Sequence, residues 1–205
     1  MRLKAMAKIN LGLDVLGKRE DGYHEVRMIM QTIRMYDILD IRKTRRPGIV
    51  LTTNLPFIPT DQRNLVYKAA QMLMEEFDVE EGLSIKLRKF IPVAAGMAGG
   101  SSDAAAAFVG VNRMFHLGLT EEQLMERAVK VGADVPYCIM RGTALAEGIG
   151  EKLTRLPEVP KCYVLIGKPG INVSTKTAYE NLNLAGIGKH PDIDGLIRDI
   201  ECGDL

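Results

Sequence analysis

PVAAGMAGGSSDAAAAFVGVNRMF, residues 92–115, is the stretch on which the fold turns. Gly96, Gly99 and Gly100 run into Ser101-Ser102-Asp103 and then four alanines, so a glycine turn opens directly into a helix. Glycine lets backbone approach a ligand closely. The first N–H groups of a helix lack intrahelical partners, and the macrodipole adds to them, which together make an anion site. A triphosphate is the guest this expects, with Ser101 and Ser102 able to reach phosphate oxygens or Mg²⁺. No Lys-Ser/Thr pair follows the glycines, so the loop is not a Walker A loop. No Gly-x-Gly-x-x-Gly is present either. A tight strand-to-helix turn capped by Ser or Asp is the plainer alternative.

Outward from this loop the chain alternates strands and helices. Upstream, LSIKLRK (83–89) has strand periodicity, and a helix precedes it, with Asp61 or Asn64 as cap and Leu65, Ala69, Met72, Leu73 and Phe77 at near-helical spacing. GIVLTT (48–53) reads as a short strand. RMIMQTI (27–33) and YDILDIR (36–42) read as a hairpin about Arg34-Met35. Ile9, Leu11, Leu13 and Val15 alternate as the buried face of a first strand, with Lys8 and Asn10 on the other. Downstream, Thr120 to Gln123 form a capping box for a helix to about Val131, ended by a loop at Gly132–Pro136. GTALAE (142–147) and YVLIG (163–167) read as strands, and 170–205 as helix or loop. The class is α+β, a mixed sheet with helices packed on one face.

Composition narrows the partners. Lys+Arg number 27 against Asp+Glu 26, a net charge of +1, so no long-range field gathers nucleic acid or an anionic membrane. There is no Trp and only 5% aromatic residues, which opposes a stacking platform for single strands. Three scattered cysteines (Cys138, Cys162, Cys202) give no metal-ligand spacing or disulfide framework. The expected compartment is therefore a reducing cytoplasm. Lys4 and Lys8 interrupt any apolar run at the N-terminus, so neither signal peptide nor membrane span is expected. The methionines read as core filler.

Pro92 to Ala106 closely resembles the second motif of the GHMP kinases, the superfamily of galactokinase, homoserine kinase, mevalonate kinase and phosphomevalonate kinase. Further segments resemble its branch acting in non-mevalonate isoprenoid precursor synthesis. These are AKINLGLDVLGKREDGYHE (7–25), Asn64-Leu65-Val66, GADVPY (132–137), AEGIGE (146–151) and KPGINVSTKTAYENL (168–182). The resemblance implies a two-lobed fold and transfer of the γ-phosphoryl group of ATP to the 2-hydroxyl of a cytidine-diphosphate-linked methylerythritol. It implies Asp134 as the base and Lys8 as its partner. ATP would meet Asn64, Pro92, Val93, Ala94, Ala95, Gly96, Met97, Ala98, Gly99, Gly100, Ser101, Ser102 and Asp103. Asn10, Tyr23, His24 and Tyr179 would hold the substrate, its pyrimidine between the two tyrosines and His24 at its edge. No dedicated metal cage is expected, because Mg²⁺ would arrive with ATP. On residue chemistry alone, Asp134 serves equally as a turn cap and Lys8 as a solvated strand lysine.

Two departures from the family pattern stand out. Ala94, Ala95 and Ala98 replace glycines common in the loop, and alanine favours φ < 0, so a stiffer loop is expected. Family members also continue into a second domain with a third glycine-rich motif that nothing here matches. The expected division is an ATP-binding domain over 1–155 and the start of a truncated C-terminal domain over 156–205. Three readings follow: this kinase, a kinase of another small alcohol, or a catalytically impaired nucleotide-binding fragment whose apolar surface a homodimer would cover.

Overall fold

The computed structural model describes residues 1–170 and 175–204. Strands are β1 (Arg2–Lys18), β2 (His24–Thr44), β3 (Ile49–Thr53), β4 (Gly82–Arg88), β5 (Thr143–Gly148) and β6 (Lys152–Leu156). Helices are α1 (Leu65–Glu76), α2 (Gly99–Phe115), α3 (Glu121–Ala128), α4 (Val135–Met140), α5 (Thr175–Glu180) and α6 (Ile193–Cys202). Packing divides the chain into two units that interleave along the sequence. One takes Met1–Lys8, Ile33–Pro92 and Ala98–Met140, and the other Ile9–Thr32, Val93–Met97 and Arg141–Leu205.

In the first unit, β4 pairs antiparallel with β2 from Ile38↔Arg88 to Thr44↔Gly82, and β3 lies parallel to β4. The sheet is therefore mixed. The parallel pair is joined through α1, as a crossover requires. Leu39, Ile41, Leu83, Ile85 and Leu87 are buried, while Arg42 and Lys86 between them are exposed. That period of two leaves one face for the helices. Helix α2 lies close against this face: a Cβ on Gly110 would stand 2.4 Å from Ile41 Cδ1 and 2.8 Å from Leu3 Cδ1. Asn64 caps α1, accepting from Val66 N–H, and the predicted Thr120–Gln123 capping box opens α3. In the second unit, β2 pairs antiparallel with β5 from Val26↔Gly148 to Gln31↔Thr143, and β5 with β6. Ile29, Leu145, Ile193 and Ile200 form its core with α6.

Several expectations are corrected. No hairpin forms at Arg34-Met35, because β2 runs unbroken through both residues. Neither is a turn former, and a single strand there wastes no backbone hydrogen bonds. The real hairpin turn is at Asp21-Gly22, where Gly22 has φ 85° and Asp21 accepts from Tyr23 N–H. Leu11 and Leu13 are exposed while Lys8 is buried, the reverse of the expected phase, whereas Val15 is buried as expected and Ile9 is half-buried. Helix α3 stops at Ala128, and Val135-Pro136 open α4 rather than close a loop. Proline suits that first turn, where its missing N–H is no loss. Residues 163–167 form no strand, and Tyr163 and Leu165 are fully exposed. Strand β6 went unforeseen.

Candidate active site

In the first unit the site rests on β1, the start of α2 and the turn before α4. Lys8 is only 4% exposed, yet its Nζ stands 3.7 Å from Asp134 Oδ2. Asp134 itself is about one-third exposed. Its carbonyl accepts from Cys138 N–H, which puts it at the N-cap of α4. The cap reading and the catalytic reading of this aspartate are thus compatible: the backbone caps, and the carboxylate is left for Lys8. A buried ammonium beside a part-exposed carboxylate gives a fixed charge pair, open on the carboxylate side.

The glycine loop leads into α2 through Ala98, which caps the helix in the left-handed conformation, φ 52°, with no side-chain hydrogen bond. Ala94 also has φ 53°. The expectation that alanines hold φ negative fails at both. A side chain in that region costs roughly 1–2 kcal/mol per residue, so the fold carries strain at these two points. Ala95 keeps an ordinary φ. Gly96 has φ 70°, and nothing lies within 4 Å of a Cβ built on it.

The three residues after the glycines part company. Ser101 is half-buried at the helix start. Ser102 is buried, and its hydroxyl donates to the Met6 carbonyl, which ties α2 to β1 and takes that proton from any phosphate. Asp103 is buried and paired with Lys89 Nζ at 2.7 Å. Burial pushes its carboxyl well above the ordinary range; Lys89 pulls against this, and Asp37 adds to it. Asn64 is 9% exposed, with both ends of its amide engaged: Oδ1 accepts from Val66 N–H at 2.9 Å and Nδ2 donates to Pro59 O at 2.7 Å. Pro92 is exposed, ahead of the loop.

In the second unit, His24 stacks on Tyr179, with ring centroids 5.0 Å apart and planes 26° from parallel. The histidine, not Tyr23, is therefore the ring against Tyr179; Tyr23 is 59% exposed at the turn. Asn10 is half-buried on β1, and in the loop Val93 is exposed and Met97 buried. Residues 171–174 of the expected substrate-side segment lie outside the described residues. Among the described residues, no group of three His, Cys, Asp or Glu is arranged to hold a metal ion.

Sequence reasoning missed Asp37 and Lys89. Both were legible, since Lys89 falls in phase with Leu83, Ile85 and Leu87, and Asp37 with Leu39 and Ile41. A charge at an inward strand position needs a partner.

Residues 64–142 match the GHMP kinases N terminal domain. The chain is 56% identical over 205 residues to 4-diphosphocytidyl-2-C-methyl-D-erythritol kinase of Lachnospira eligens, covering all of this chain and 71% of that protein. It is 58% identical over 203 residues to the kinase of that name from Lachnoclostridium phytofermentans, covering 99% and 70%. A crystal structure of 4-(cytidine 5'-diphospho)-2C-methyl-D-erythritol kinase superposes with a TM-score of 0.79 at 30% identity, over all of this chain and 72% of that one. Homoserine kinase from Cytophaga hutchinsonii shares the fold, with a TM-score of 0.68 at 17% identity over 97% and 68%. With whole-chain identity at this level and Lys8 and Asp134 brought together, the chain belongs to the 4-diphosphocytidyl-2-C-methyl-D-erythritol kinase family of GHMP kinases.

Proposed function

We propose that this protein transfers the γ-phosphoryl group of ATP to the 2-hydroxyl of 4-diphosphocytidyl-2-C-methyl-D-erythritol, a step of non-mevalonate isoprenoid precursor synthesis in the cytoplasm. The observation that carries the reading is the Lys8–Asp134 pair in a chain 56% identical to a kinase of that name. Asp134 takes the hydroxyl proton as the acceptor oxygen bonds to Pγ and the bond from Pγ to the β-bridging oxygen breaks, releasing ADP. Lys8 stabilises the charge that gathers on the transferring group. The N–H groups opening α2, with the Gly96–Gly100 turn, hold the triphosphate, and Asn64 sets the segment beside the adenine. Mg²⁺ would come to the site held by the phosphates, with Ser101 the hydroxyl at the helix start able to reach it, and would supply neutralisation of the phosphate charge.

The His24–Tyr179 stack supports a planar base as part of the substrate, with Tyr23 and Asn10 completing that side. A panel of alcohols offered with ATP tests the assignment. Phosphorylation of the cytidine-bearing acceptor should exceed that of mevalonate and homoserine by orders of magnitude. Comparable rates on a simpler alcohol would overturn it.

A further inference from the structure

Under the first turn of α2 lies a buried charge cluster that the proposed chemistry does not use. Lys89 Nζ donates to Asp37 Oδ2 and, at 2.7 Å, to Asp103 Oδ2. All three side chains are at least nine-tenths buried. Asp37 Oδ1 accepts from Phe90 N–H and, at 2.8 Å, from Ile91 N–H. Asn54 clamps the Lys89 backbone, its Oδ1 accepting from Lys89 N–H at 2.8 Å and its Nδ2 donating to Lys89 O at 3.1 Å. The lysine is thus fixed by backbone and side chain together. Its Nζ stands 3.1 Å from where a Cβ on Gly99 would be, directly against the start of α2.

The arithmetic of charge is uneven, with two carboxylates and one ammonium. Asp37 is satisfied on both oxygens. Asp103 Oδ1 is buried and accepts no hydrogen bond from a described residue. Asp103 is also the group whose ionisation burial resists. Once the pH is high enough to ionise it, an uncancelled carboxylate four residues into α2 would compete with any anion for the positive field of the helix N-terminus.

We propose that Lys89 is a positioning residue for the nucleotide phosphates: anchored by Asp37, it cancels Asp103 and sets the height at which α2 presents its free N–H groups. This rests on reading α2 as the triphosphate site. Lys89 touches no substrate in this account; it acts through Asp103 and Gly99.

Charge rescue separates this role from mere support. Affinity for a non-hydrolysable ATP analogue is measured by calorimetry on the wild type, Lys89→Met, Asp103→Asn and the double variant. Lys89→Met should weaken binding by about tenfold or more, and adding Asp103→Asn should recover about threefold or more of that loss. Asp103→Asn alone should bind more tightly than wild type, within about threefold. A double variant no better than Lys89→Met would overturn the proposal, since lost support is not restored by removing a second group. If Lys89→Met does not fold, Asp103→Asn decides alone: binding tighter than wild type, from an ammonium no longer cancelled at the start of α2, upholds the proposal, and unchanged or weaker binding overturns it. A wild type that fails to bind the analogue refutes the triphosphate site itself and with it this inference, whereas a wild type that binds and variants that bind equally refute the inference alone.

Discussion

Ala98→Gly should stabilise this protein, although glycine at most helix-flanking alanines does the opposite. Ala98 holds φ 52° as the cap residue of α2 and makes no side-chain hydrogen bond there. Relieving a left-handed alanine returns roughly 1–2 kcal/mol. The added freedom of glycine in the unfolded chain takes back roughly 0.4–1 kcal/mol. The net gain is about 0.5–1 kcal/mol, which for a chain of this size raises Tm by roughly 1–4 °C. Thermal unfolding followed by circular dichroism reads this directly. The control is Ala95→Gly in the same loop, where φ is ordinary and no strain is relieved. That variant should lose about 0.5–1 kcal/mol. Opposite signs at two alanines three residues apart would be hard to obtain any other way. If Ala98→Gly lowers Tm as much as Ala95→Gly does, the left-handed cap is wrong, and with it the reasoning about how the loop enters α2.

Three further outcomes follow. Gly82→Ala should cost roughly 2–3 kcal/mol, because the new Cβ would stand 1.8 Å from the Arg46 carbonyl oxygen, which is backbone and cannot swing aside; chemical denaturation measures it. Asp103 carries a carboxyl whose folded-state pKa lies well above the ordinary 3.8, so the native state binds the proton more tightly than the unfolded chain does. Its contribution is complete at low pH and is lost as pH rises from about 4 through the raised value, so the Tm of Asp103→Asn minus that of wild type should climb with pH; a difference flat with pH refutes this. Tyr179→Ala should raise KM for the cytidine-bearing substrate by about tenfold, the worth of a lost stacking partner, and leave KM for ATP unchanged; steady-state kinetics with each substrate varied separates the two.

The parts of the fold written in local signals were legible in the sequence. The strand-glycine-helix passage, the Asn64 cap and the Thr120 box each depend on residues a few positions apart, and each is found where expected. What failed depended on distant partners. Whether Leu11 and Leu13 face inward is settled by what packs on β1, not by their alternation. YVLIG has strand composition, but a strand exists only where a neighbour pairs with it. The β2 misreading shows the converse, since a strand of twenty-one residues is longer than the usual range and invites a break where none exists. At the site, Asp134 and Lys8 were legible only through the resemblance. Ser102 and Asp103 looked like ligand residues because they follow the glycines, yet their side chains serve β1 and Lys89. Asp37 and Lys89 carried a usable signal, a charge in the apolar phase of two strands, that pattern reading passed over.

Transfer of labelled γ-phosphate from ATP to 4-diphosphocytidyl-2-C-methyl-D-erythritol, with Asp134→Ala beside the wild type, probes the Lys8–Asp134 pair at its chemistry. The wild type should turn over and the variant should lose roughly 10²–10⁴-fold in kcat, with ATP affinity little changed. A variant that turns over at the wild-type rate would contradict the role given to the Lys8–Asp134 pair, and with it the account of how this site works.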